Sequence, residues 1–163
     1  MPEPTLDGIW DAHEFGLARN LNANRRGGKH KYGWKPTPEQ ERDFNANSAA
    51  AEYVAGCLLN RRWLSTGFVP DKRTEGDLEG KIQVRWTERR GGRLPVHPDP
   101  EDPADHHYLL VVGRTPDQRL IGWMRGKEAQ REEFWDTEIR WPCFMVPQAR
   151  LWPWEELIQD AVP

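Results

Sequence analysis

Cysteine is nearly absent from this chain, with only Cys57 and Cys143 among 163 residues. Neither lies at the spacing of a structural zinc site, and two isolated thiols suit a reducing compartment better than a disulfide-stapled secreted domain. Long apolar runs are missing too: nothing approaches the ~18 consecutive apolar residues that a membrane span needs. The opening Met1-Pro2-Glu3-Pro4 lacks the charged-then-apolar order of a secretion signal. The expectation is a cytoplasmic protein with no membrane partner. An excess of positive charge is also lacking, since 23 Lys and Arg face 26 Asp and Glu for a formal charge of −3. That balance excludes a generally basic nucleic-acid coat, so any nucleic-acid contact must come from a local patch. No phosphate-cradling glycine loop, dinucleotide fingerprint or Ser-His-Asp arrangement is present.

What the chain does have is aromatic area. Nine Trp in 163 residues supply large apolar faces in an otherwise polar composition. A chain of this length buries roughly 68–70% of its unfolded surface, enough for one independent core. The segment 5–22 has helical spacing, with Leu6, Ile9, Trp10, His13 and Leu17 on one stripe and Thr5 or Asp7 as its cap. Between Glu14 and Glu39 there is no acidic residue, while residues 19–35 carry six Lys and Arg together with Tyr32 and Trp34. We read this stretch as a basic arm, which divides the chain into an N-terminal extension, 1–36, and a domain, 37–163.

Thr37-Pro38-Glu39-Gln40 opens the next helix as a capping box with Pro at the first helical position. This helix is expected to reach about Arg62, with a break near Asn45-Ala46-Asn47, and to show an apolar face of Ala51, Val54, Ala55, Leu58 and Leu59. Strand patterns follow at 63–69 and 81–87, and after an Arg-Arg-Gly-Gly turn the segment 93–97 is expected to pair back on 81–87. Further strands are expected at 107–112, 120–125 and 143–146, a short polar helix at 126–134, and a terminal helical turn at 154–160. Helix, strands, short helix and strand in that order make an α/β protein, with one mixed sheet of four to six strands under the long helix.

Four polar residues stand out against this frame. Glu52 sits beside the apolar face of the long helix. Asp77 precedes a strand on which Gln83 and Arg85, two residues apart, share one face while Val84 points to the other. Glu52, Asp77 and the amide oxygen of Gln83 are the oxygen donors a hard cation takes, and Arg85 is placed to meet charge developing on a phosphate. Each residue also has an ordinary reading: Glu52 as a helix-surface carboxylate, Asp77 as turn chemistry after Gly76, and Gln83 and Arg85 as a solvated strand face.

On these residues, and across 46–150, the chain resembles a group of small phage and actinobacterial proteins related to the PD-(D/E)XK nuclease-like superfamily. The resemblance implies a restriction-endonuclease-like core: a central mixed sheet, a long helix packed on it, and here a basic N-terminal extension. It implies Glu52 as the helix acid, Asp77 as the metal-binding aspartate, Gln83 at the second acid position and Arg85 at the strand lysine. It further implies a hydrolase acting on DNA with Mg²⁺ or Mn²⁺, in the host cytoplasm if phage-encoded. Gln83 and Arg85 depart from the superfamily pattern. Gln removes a negative charge, and Arg cannot give up a proton as a general base. The alternative is therefore an inactive nuclease-fold module that recognises DNA or a host or phage protein. Outside this set, Arg25, Arg26, Lys29, Lys31, Tyr32 and Trp34 are the candidate nucleic-acid contacts, suited to phosphates and unpaired bases. Residues 97–107 hold three His and four acids, donors that zinc could take, but their irregular spacing and three Pro read as a solvated loop.

Overall fold

The computed structural model describes residues 3–25, 35–64 and 75–159. Two helices come first, α1 (Leu6–Arg25) and α2 (Pro38–Leu59). The capping box forms as read: Thr37 Oγ1 accepts the Gln40 backbone N–H at 3.1 Å, and the Gln40 side chain accepts the Thr37 N–H at 2.9 Å. Helix α2 then runs unbroken through its asparagines. Asn45 and Asn47 donate to the carbonyls of Glu41 (2.8 Å) and Asp43 (2.9 Å), four residues back. The expected break is absent because these side chains find partners inside and beside the helix. Asn47 Oδ1 also accepts the backbone N–H and the hydroxyl of Thr115, tying α2 to a turn of the sheet. Asn60, at φ 53°, ends the helix in the left-handed region.

Helix α1 packs on α2 through Ile9, Ala12, Gly16 and Asn20, all buried. A Cβ on Gly16 would run into the Asn45 carbonyl and lie 2.7 Å from Ala46 Cα. Close approach of the two backbones selects the small-residue face, which leaves Leu6 and Trp10 of the expected stripe exposed. The helix also continues past residue 22 to Arg25, so the proposed arm does not begin at Arg19.

The strands make two small sheets rather than one larger sheet. The first has the order β1 (Ile82–Thr87), β3 (His107–Val112), β4 (Arg119–Arg125), with β1 parallel to β3 and β3 antiparallel to β4. The second is antiparallel: β2 (Leu94–Val96), β6 (Cys143–Val146), β5 (Trp135–Asp136). A short helix α3 (Gly126–Ala129) follows β4. The expected pairing of 93–97 on 81–87 is therefore wrong. The partner of β1 is β3, and β2 crosses to β6. The reason lies in β3, an apolar run buried on both faces. Its Leu109 and Val111 pack with Ala51, Val54, Ala55 and Leu59 of α2, while Tyr108, Leu110 and Val112 pack with Leu94, Val96 and Val146. The outcome is a mixed α/β protein in which the first sheet lies between the helices and the second sheet. Of the expected strand 63–69, Trp63 makes a single bridge to Leu78, and residues 65–69 lie outside the described set. Among the described residues no helix is long and apolar enough to cross a membrane.

The Gly16 crossing sets a test. Gly16→Val should destabilise the fold by about 1–3 kcal/mol through overpacking, read as a lower urea midpoint at unchanged slope.

Candidate functional site

The free edge of β1 is where the polar residues gather. The Lys81 carbonyl accepts the N–H of His107 in β3 at 2.9 Å and the Thr87 carbonyl that of Gly113, just past β3, at 3.0 Å, so alternation turns the backbone groups of Ile82, Val84 and Trp86 away from β3. The chain just before β1 doubles back along that edge. Asp77 and Leu78 donate their N–H groups to the Ile82 carbonyl at 2.8 and 3.0 Å. Glycine is required at the bend: Gly76 has φ +89°, and a Cβ there would lie 2.7 Å from the Ile82 carbonyl. The doubled-back segment sets the Asp77 carboxyl over the next free donor, and Oδ2 accepts the Val84 N–H at 2.8 Å.

Glu52 reaches the same place from α2. It is 5% exposed. Arg19 of α1 grips both of its oxygens, at 3.0 and 3.2 Å, and Trp63 Nε1 donates to Oε2 at 2.7 Å. Gln83 and Arg85 leave β1 on the face opposite Val84, which is buried in the core beneath α2. Gln83 Nε2 meets His106 Nδ1 at 3.3 Å. Burial pushes the His106 imidazole below its ordinary value; an amide nitrogen can only donate, so the ring nitrogen is the acceptor of this contact and the Gln83 oxygen remains as an acceptor. Arg85 donates to Asp102 Oδ1 at 2.7 Å and lies over the Tyr108 ring, 5.1 Å from its centroid. Asp102 Oδ2 accepts the His97 N–H at 2.7 Å, and Gln130 holds the carbonyls of His97 and Asp102 at 2.9 and 2.7 Å.

These groups line one cavity of about 490 Å³, with Glu52, Asp77, Gln83 and Arg85 all in its wall. Arg19, Asn45, Ser48, His97, Glu101 and Asp102 complete its polar lining, and Phe44 and Trp86 its aromatic side. Its electrostatics centre on Asp77. Burial, then the charge of Glu52, push the Asp77 carboxyl up to about 7, against the pull of the Val84 N–H, Arg85 and Arg19. Burial disfavours the charged form of Arg85, but the charge and hydrogen bond of Asp102 outweigh it and hold the guanidinium above its ordinary value. In the cavity wall Glu52 and Asp77 thus repel one another and are met by two guanidiniums, Arg19 and Arg85, with the carboxyl groups of Glu101 and Asp102 also in the lining.

Sequence reasoning missed half of this arrangement. Arg19 belongs to the Glu52 side of the cavity, not to an arm. The His- and Asp-rich loop is solvated at Pro98, Asp99, Pro100 and Asp105, as expected, but Asp102 and His106 turn inward and are only 6% and 2% exposed. The only advance sign was that loop's density of acids. Among the described residues no group of three His, Cys, Asp or Glu stands together to hold a metal ion. A hard cation would have Glu52, Asp77 and the Gln83 amide oxygen as donors, a set that fits in kind and in which Arg19 competes for Glu52. Arg25 closes α1, and Arg26, Lys29, Lys31, Tyr32 and Trp34 lie outside the described residues. No family model, curated protein or solved structure matches this chain.

Two outcomes are expected. Arg19→Leu leaves Glu52 buried without its cation and should cost about 3–5 kcal/mol in urea unfolding. Asp77 holds its proton more tightly folded than unfolded, so its contribution to stability is full below pH ~4 and is lost as pH rises through about 7. Asp77→Asn should flatten that decline, measured as the wild-type-minus-variant difference in unfolding free energy at pH 5 and pH 8.

Proposed function

We propose that the cavity binds a phosphodiester of nucleic acid and hydrolyses it with a divalent cation, on a core of the restriction-endonuclease kind. One observation carries this reading: a helix (Glu52), a turn (Asp77) and an edge strand (Gln83, Arg85) bring their polar groups into one wall, with Glu52 near enough to raise Asp77. Two carboxyls that resist ionising together are a ready site for positive charge. Glu52, Asp77 and Gln83 would hold Mg²⁺ or Mn²⁺, which when bound polarises a phosphoryl oxygen and acidifies a water. The protein's own groups do the rest. Arg85, oriented by Asp102 and Tyr108, faces the charge that develops on the phosphate. Arg19 positions Glu52 and adds a second cation. Neither arginine can act as a base.

A second reading has its own support. Both guanidiniums are already matched, Arg19 with Glu52 and Arg85 with Asp102. Such pairing suits a module that binds nucleic acid or a protein without cleaving it. Incubation of labelled duplex DNA, single-stranded DNA and RNA with Mg²⁺, Mn²⁺ or EDTA separates the two. Cleavage is expected only with metal, and only in wild type, not in Asp77→Asn. If no cation gives cleavage of any of the three, catalysis is overturned and retained binding selects the module.

A further inference from the structure

The candidate cavity does not end at Trp86. A second cavity, of about 640 Å³, lies beyond it and is lined by Trp86, Arg89, Arg93, Pro95, Ile139 and Met145 among others. Trp86 and Pro95 belong to both walls, so the two hollows adjoin. We propose that a single strand of nucleic acid bound at the first cavity passes over Trp86 into the second, with its phosphates on Arg89, Arg90 and Arg93. This rests on the reading of the first cavity as a phosphodiester site and extends it to a strand path.

Charge is the first reason. In a chain of formal charge −3, the turn between β1 and β2 puts three exposed arginines within five residues. Arg93 is held by Asp136 at 2.7 Å, whereas the guanidiniums of Arg89 and Arg90 have no partner among the described residues. The opposite way past Trp86 is the less favourable one for a polyanion. There the hollow is lined by Asp43 and Glu88, and both acids already engage Arg114.

Stacking surface is the second. The indole of Trp86 is anchored by its Nε1 on the Gly113 carbonyl at 2.6 Å, and Phe44 meets it edge-on at 5.8 Å. Phe44 is 42% exposed. Trp86 lines both cavities of the path and Phe44 the first of them; ring faces there accept any unpaired base, and a duplex hides its base faces, which is why the occupant is a single strand.

The turn is also built in advance. Gln148 Nε2 donates to the carbonyls of Arg90 and Gly92 at 2.7 and 2.9 Å, and the Gly92 N–H returns to the Arg89 carbonyl at 3.0 Å. A Cβ on Gly92 would come 2.5 Å from Thr87 Cγ2, so only glycine lets the turn lie this close to β1. Preorganisation lowers the ordering cost of binding.

Fluorescence anisotropy of a labelled twenty-nucleotide oligo(dT), in EDTA to prevent cleavage, tests the path across a salt titration. Arg89→Ala/Arg90→Ala should weaken binding roughly tenfold and reduce the slope of log affinity against log salt by about 1.4, at ~0.7 per lost single-strand phosphate contact. Phe44→Ala should weaken oligo(dT) more than a duplex of equal length. Arg119→Ala/Arg131→Ala makes the same charge change elsewhere and should leave the slope unaltered. The path is overturned if oligo(dT) does not bind, if the turn variant keeps the wild-type slope, or if the remote pair reproduces its loss. Because the readout is binding without metal, a protein that binds this way but never cleaves refutes hydrolysis and keeps the path. One that cleaves while ignoring the turn variant does the reverse.

Discussion

The hydrogen bond from the Val84 N–H to Asp77 Oδ2 ties the parts of this molecule together. A parallel partner satisfies only alternate backbone groups of β1, and the remainder would face the cavity unpaired. Folding the preceding segment back along that edge supplies partners for Ile82 and Val84. In doing so it places a carboxyl beside the Glu52 of α2. The site is thus a consequence of how an edge strand completes its hydrogen bonding.

Glu52 and Asp77 then set the electrostatic conditions for everything around them. Their mutual repulsion, with Glu52 buried and Asp77 half-buried, is met on one side by Arg19 and on the other by Arg85. Arg85 is in turn balanced by Asp102 within a Pro-rich loop, which Gln130 fastens through two carbonyls. Charge therefore alternates from α1 through α2 and β1 to the loop before β3.

Scale favours an extended occupant. A cavity of 490 Å³ with an adjoining hollow of 640 Å³, an arginine-bearing turn and paired aromatic rings is more than one phosphate needs. The net acidity of the chain is no obstacle, because the turn between β1 and β2 gathers Arg89, Arg90 and Arg93 within five residues, a local excess of positive charge. Local pattern, not total charge, decides where a polyanion can lie.

Local chemistry made several elements legible from the residues alone. The Thr37 capping box, the uniformly apolar β3, the Cys143–Val146 strand and the alternation of Gln83, Val84 and Arg85 all follow from backbone periodicity and short-range hydrogen bonding, which neighbouring residues determine. Partner choice was not legible. That β1 takes β3 in parallel, that β2 crosses to β6, that Gly16 rather than Leu6 and Trp10 sets the helix crossing, and that Arg19 and Asp102 join Glu52 and Arg85 all depend on contacts between residues far apart in the chain. Burial of both faces of β3 and close packing of two helices are properties of the assembled core. Only the tertiary structure could decide which charges end up side by side.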